Sequence, residues 1–169
     1  MSVRYAVVED AKRITEIKVD GWKTAYRGIF PDEFLETLDA ESRIESVKEA
    51  ISENPNNGFV FEDEDKNILG FCQFGGSRWV EEFGEEYDCE LYAIYVLSES
   101  RGQGIGSALF NATLAEFKSR NKKGMLVNVL EENTASVNFY KKLGGYEVGK
   151  KDFILKEVAY WQIVFAFKL

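Results

Sequence analysis

The sequence predicts a single α/β domain, residues 1–169, on three observations. Strand-like and helix-like apolar patterns alternate along nearly the whole chain. Hydrophobic residues make up 45% and aromatic residues 14% of it, enough to fill one core and too much for a disordered segment. No internal repeat, low-complexity tract or linker interrupts the 169 residues, a length that fits one domain.

Val3–Val8 reads as a first strand. From Asp10 to Gly21, apolar Ala11, Ile14 and Ile17 fall at helical spacing. An aromatic-rich connector, Trp22 to Phe30, follows, and Pro31 can begin a helix because its missing N–H is not needed there. Ser42–Ser52 carries Ile44, Val47 and Ile51 at helical spacing, and Asn54-Pro55-Asn56-Asn57-Gly58 breaks the chain. Phe59–Glu62 and Ile68–Gly75 read as a hairpin around the acidic turn Asp63–Asn67, and Ser77–Asp88 as an acidic loop. Cys89–Leu97 is a long strand rich in β-branched and aromatic residues. Ile105–Arg120 is a helix with apolar Ala108, Leu109, Ala112 and Ala115, and Gly124–Leu130 is a short apolar strand. Thr134–Leu143 is a helix stopped by Gly144-Gly145. Tyr146–Asp152 and Tyr160–Phe167 are two final strands.

Composition removes several classes of function. A formal net charge of −8 without a basic cluster argues against nucleic acid as the partner, and it suits a cationic substrate. No stretch is long and apolar enough for a membrane span, so no membrane partner is expected. Met1 to Tyr5 runs into a strand pattern with no signal-peptide core. The two cysteines, Cys72 and Cys89, form neither a CxxC pair nor a disulfide framework, so a cytoplasmic, reducing compartment is the expectation. Histidine is absent, which excludes Ser-His-Asp and Cys-His catalysis and any His-ligated zinc. Carboxylates, tyrosine, lysine, cysteine, backbone groups or a cofactor must carry the chemistry.

The central feature runs from Val96 through Ser98, Arg101, Gly102, Gln103, Gly104, Ile105, Gly106 and Ser107 to Leu109, where a strand leads through glycines into an amphipathic helix. Such a turn binds anions, because unpaired N–H groups converge there and the helix dipole adds positive potential. The glycines keep side chains out of a phosphate's way. Spacing excludes the dinucleotide fingerprint: Gly102 and Gly104 meet Ser107, and Gly104 and Gly106 meet Leu109, where a third glycine is needed. A Walker loop would need Gly-Lys-Ser/Thr. A glycine-rich turn without a ligand remains the alternative for the loop alone.

Arg101-x-x-Gly104-x-Gly106 resembles the pyrophosphate-binding Q/R-x-x-G-x-G/A motif of the GNAT (N-acetyltransferase) superfamily. Asn133 to Gly144 resembles that family's N-x-x-A-x-x-F-Y-x-K-x-G segment, with Ala135 one place early and Gly145 where an aromatic often follows. The order of elements also matches, so the resemblance covers nearly the whole chain. It implies a mostly antiparallel central sheet of six to seven strands flanked by about four helices. It implies acetyl-CoA as co-substrate without a metal, its pyrophosphate on the amides around Arg101–Ser107. Family members are often dimers, which implies a homodimer.

Acetyl transfer to an amine needs a neutral nitrogen, a stabilised oxyanion and a protonated leaving thiolate; an alkyl ammonium with a pKa of about 10.4 must first lose a proton. Glu90 is the candidate base. It lies on the strand before the glycine turn, at the spacing from Arg101 of a catalytic glutamate in some histone-acetylating members, and Tyr92, Ile94 and Val96 share its face. A solvated carboxylate at the strand start, with a water chain as base, is the alternative. Tyr140 is the candidate general acid, on one helical face with Asn133 and Val137; by resemblance that face carries the pantetheine arm. A core role beside Phe139 and Leu143 is its alternative. Asn133 also suits a helix N-cap, and Lys142 either contacts a coenzyme phosphate or sits at a helix C-terminus where cations are favoured. The resemblance places an oxyanion-binding amide in the stretch Ile94, Tyr95, Val96.

The acceptor side is less specific. Trp22 to Pro31 resembles a segment of bacterial GNAT members of the small-amine and polyamine type, which implies that Trp22, Tyr26 and Phe30 wall the acceptor site. The acidic stretch Trp79–Asp88 attracts a cationic amine or is a solvated loop. The expected activity is transfer of acetyl from acetyl-CoA to a primary amine of a small molecule, polyamine or amino-acid-like. A non-catalytic acyl-CoA sensor and a protein N-acetyltransferase are the competing readings.

Overall fold

A computed structural model describes residues 1–169. Seven strands, β1 (Ser2–Tyr5), β2 (Gly58–Glu62), β3 (Ile68–Gly76), β4 (Cys89–Val96), β5 (Gly124–Leu130), β6 (Tyr146–Leu155) and β7 (Val158–Lys168), follow the order β1-β2-β3-β4-β5-β7-β6. The β4–β5 pair is parallel, while β1–β2, β2–β3, β5–β7 and β6–β7 are antiparallel. Four helices of nine residues or more accompany the strands, together with two short ones. No helix is long and apolar enough to cross a membrane. The chain divides into two compact units, residues 1–74 with 93–115 and residues 75–92 with 116–169.

The first unit holds β1 (Ser2–Tyr5), α1 (Ala11–Ala25), α2 (Asp32–Glu36), α3 (Ile44–Glu53) and β2 (Gly58–Glu62). It also takes most of β3 (Ile68–Gly76), the end of β4 (Cys89–Val96) and most of α5 (Ile105–Ser119). Its core joins Ile14 and Ile17 of α1 to Val60, Ile68, Phe71 and Leu97, with Val47 and Ile51 of α3 packed against them. The helical spacing read from the sequence is therefore the spacing of the buried face. Arg4 ties the unit's first elements together. Its guanidinium donates to both oxygens of Asp10 at 2.7 and 2.9 Å and to Glu62 Oε1 at 2.7 Å.

The second unit holds α4 (Val80–Phe83), the start of β4, β5 (Gly124–Leu130), α6 (Thr134–Lys142), β6 (Tyr146–Leu155) and β7 (Val158–Lys168). β7 pairs with β5 from Gly124–Lys168 to Leu130–Gln162, and Ile163–Phe167 are all buried, as expected of a central strand. Leu126, Val164 and Ala166 pack with Trp79, Phe83, Tyr87 and Val148. Gly145 is dictated by space: a Cβ there would lie 2.7 Å from the Phe167 ring and 3.0 Å from the Tyr140 carbonyl oxygen. An aromatic in its place would force α6 away from β7.

Several boundaries differ from the sequence reading. β1 stops at Tyr5, and Val8–Asp10 is a 3-10 turn. α1 runs through Trp22 to Ala25, where the Trp22 ring packs edge-on against Tyr26, the residue that follows the helix. The acidic stretch contains the single turn α4. β6 and β7 continue to a two-residue turn, Lys156-Glu157, with φ of 46° and 67°.

Candidate functional site

The glycine turn belongs to the first unit. After β4 the chain makes a 3-10 turn at Ser98–Ser100, then enters the left-handed region at Gly102 (φ 78°) and Gly104 (φ 80°) before α5 begins. The Gly104 carbonyl accepts the Ala108 N–H at 2.9 Å, so Gly104 is the last residue outside the helix. The amides of Ile105, Gly106 and Ser107 fall in the first turn, where no preceding turn supplies an acceptor. Residues 101–104 are exposed, and a Cβ at Gly102 or Gly104 would meet nothing within 4 Å. The result is an open surface of orphan donors at the N-terminus of a fifteen-residue helix, with Ile105 buried behind it.

Two links hold the turn to α1. Asp20 accepts from the Ser98 amide at 2.9 Å and from its hydroxyl at 3.2 Å, and Arg101 Nη2 donates to Thr24 Oγ1 at 2.5 Å. Thr24 is neutral, so this bond aims the guanidinium without neutralising it. The arrangement suits an anion on charge, dipole and hydrogen-bonding grounds together.

On the same α1, Trp22 meets Tyr26 edge-on at 5.0 Å between ring centres and Phe30 at 5.8 Å, while Tyr26 lies 4.9 Å from Phe30. The hydroxyls of Tyr26 and Tyr95 are 3.3 Å apart. Burial pushes the Tyr26 pKa up and the bond to Tyr95 pulls the other way. Phe30 is buried, whereas Trp22, Tyr26, Ile94, Tyr95 and Val96 are half-buried. These three aromatic residues are thus a packed cluster with partial exposure. The registered β4–β5 pairs are Cys89–Met125 and Glu90–Leu126, and Ile94–Val96 lie past them along β4.

The remaining sequence candidates lie in the second unit. Glu90 is only 1% exposed and is not the solvated strand-end carboxylate considered above. Oε1 accepts from Arg78 Nη2 at 2.6 Å, Trp79 Nε1 at 3.3 Å and Asn128 Nδ2 at 3.2 Å. Oε2 accepts from the Arg78 amide at 3.2 Å and Arg78 Nε at 3.0 Å. The bond to Glu90 raises the Arg78 pKa, and the guanidinium also lies over the Tyr92 ring, 4.6 Å from its centre.

Tyr140 is buried on α6, with ring centres of Phe139, Phe165 and Phe167 at 5.1, 6.3 and 6.4 Å. Asn133 caps α6, its Oδ1 accepting the Ser136 N–H at 3.2 Å. Lys142 is exposed in the last turn of α6, while its neighbour Lys141 pairs with Glu147 at 2.9 Å. Arg78, Trp79 and Asn128 were missed from sequence. The one available signal was Asn128, a lone polar residue in the otherwise apolar run Gly124–Leu130.

The sequence model of the Acetyltransferase (GNAT) family matches residues 19–145. An uncharacterized N-acetyltransferase of Bacillus subtilis (strain 168), YuaI, is 37% identical over 154 residues, covering 90% of this chain and 84% of that one. Spermidine N(1)-acetyltransferase of Thermoplasma acidophilum is 26% identical, covering 90% of this chain and 91% of its own. Among solved structures, the PaiA N-acetyltransferase of Thermoplasma acidophilum in complex with coenzyme A superposes with a TM-score of 0.74 at 19% identity, over 99% of this chain and 98% of the other.

Proposed function

Because the chain belongs to the acetyltransferase (GNAT) family and is an acyltransferase, we propose that it moves an acetyl group from acetyl-CoA to a primary amine of a small molecule, polyamine or amino-acid-like, by direct attack on the thioester. The observation that carries this reading is the open row of unpaired amides at Ile105–Ser107 behind two left-handed glycines, with Arg101 held beside them by Thr24. In this reading those amides, with Gly102, Gln103 and Gly104, receive the coenzyme's diphosphate. Asn133 and Lys142 contact the rest of the coenzyme, and an amide among Ile94, Tyr95 and Val96 receives the carbonyl oxygen as it gains charge. The match to one family model from residue 19 to residue 145 supports treating both compact units as one catalytic domain.

The reaction joins the amine nitrogen to the acyl carbon and breaks the C–S bond. The nitrogen's proton leaves to water, and the thiolate takes one from the Tyr140 hydroxyl. The cage around Glu90 supports a base that acts through water, as a carboxylate that also anchors Arg78, Trp79 and Asn128. A small cationic acceptor is supported by the net charge of −8 and by the named activity of the spermidine-acetylating relative. The test is release of free thiol from acetyl-CoA across polyamines, L-amino acids and short peptides. Turnover of a small amine is the expected result. Tight coenzyme A binding without thiol release would favour a sensor, and turnover of peptides alone a protein N-acetyltransferase.

A further inference from the structure

Asn128 is the single polar side chain on β5. Its Nδ2 donates to Glu90 Oε1 at 3.2 Å, while its Oδ1 is buried with no hydrogen-bond partner. The orientation of the amide is fixed by that neighbour, since exchanging the two atoms would set an oxygen against a carboxylate oxygen. The nearest side-chain donors turn elsewhere: Trp79 Nε1 and the Arg78 Nε and Nη2 groups donate to Glu90. A buried acceptor without a donor loses its hydration and gains nothing, and a leucine of similar size would fill the position without that loss. No donor of the chain meets this oxygen.

We infer that Asn128 Oδ1 receives an N–H of the acceptor amine, an inference that rests on the acetyl-transfer reading above. The charge of Glu90 is already matched by Arg78, so no further cation is required at this place. A neutral carbonyl oxygen orients a nitrogen through one hydrogen bond without retaining the nitrogen's proton, as a carboxylate would. Once deprotonated, a primary amine has two N–H groups and a lone pair. One N–H goes to Asn128 and the lone pair to the thioester carbon. Asn128 itself exchanges no proton and fixes where the nitrogen waits.

The experiment compares wild type with Asn128→Leu and Asn128→Ala in steady-state acetylation of spermidine, 1-aminobutane and L-methionine, alongside the acetyl-CoA KM and the melting temperature. The expected result is a rise of about tenfold in the amine KM, the loss of one neutral hydrogen bond, with the acetyl-CoA KM within about twofold of wild type. Asn128→Leu is expected to melt within a few degrees of wild type, since it removes the orphan oxygen together with the Nδ2 bond to Glu90. An unchanged amine KM in both variants, with wild type active on at least one probe, would overturn the inference and assign Oδ1 to a bound water. Wild type inactive on all three amines would instead defeat the small-amine reading beneath it. Should Asn128→Leu fail to fold, the alanine variant decides by the same KM comparison.

Discussion

At the scale of single residues, the chemistry rests on groups whose surroundings limit what they can do. Tyr140 is buried on α6, its ring packed against those of Phe139, Phe165 and Phe167. Tyr140→Phe keeps the ring packing and removes only the hydroxyl; on the proposed acid role, kcat is expected to fall about 100-fold while the coenzyme A Kd stays within about twofold. Full activity in that variant would return Tyr140 to a purely structural role. Asp10 offers a second prediction, on stability. Burial pushes its pKa up, but hydrogen bonds from Arg4 and the Val7 amide, with the charge of Arg4, outweigh it and hold the carboxyl below its ordinary value. The stability this contributes is present above the unfolded pKa of about 3.9 and is lost as pH falls through the lower folded value. The melting temperature should therefore drop below about pH 4 and do so less steeply in Asp10→Asn, which is less stable than wild type at neutral pH. Equal slopes would refute the coupling. Little of the residue-level network could be read in advance. Arg78 and Trp79 lie in a stretch whose sequence shows only acidity, and their bonds to Glu90 span eleven and twelve positions.

At the scale of elements, the turn before α5 shows why a short pattern could be read from sequence. Left-handed φ at Gly102 and Gly104 is a requirement that almost no other residue type meets, so the glycines announce the conformation. Gly104→Val would place a β-branched residue at φ 80° beside the orphan amides, and coenzyme A affinity is expected to fall at least about tenfold by calorimetry. Retained affinity would move the diphosphate elsewhere. The Lys156-Glu157 turn is the opposite case. Both residues take positive φ, 46° and 67°, although neither type favours it, so the sequence carried no hairpin signal and the strands read short. Replacing the pair with Asn-Gly fits the backbone already present and should raise the melting temperature by a few degrees, corresponding to about 1 kcal/mol. An unchanged value would mean that the β6–β7 register alone dictates the turn. The long helices were legible because their buried faces repeat at helical spacing, as Ile14 and Ile17 do. α1 reads short from sequence because the aromatic-rich connector after Gly21 gives no helical signal until the partners of Trp22, Phe30 and Phe34, are in place.

At the scale of the whole molecule, the sign of the charge bears on the identity of the acceptor. A net charge of −8 surrounds the protein with a negative potential that concentrates cations and leaves zwitterions nearly unaffected. Spermidine is polycationic at neutral pH, whereas L-methionine carries no net charge. If a polyamine is the natural acceptor, its kcat/KM should fall several-fold as salt rises from about 50 to about 500 mM, because the screening length shrinks to a few ångströms. The value for L-methionine should move little, and an acetyl-CoA titration in the same buffers reports how far salt weakens the anionic donor instead. A salt response confined to spermidine would tie the acidic surface to recognition. Equal responses of both acceptors would trace the effect to the donor and leave the acidic surface to solubility alone.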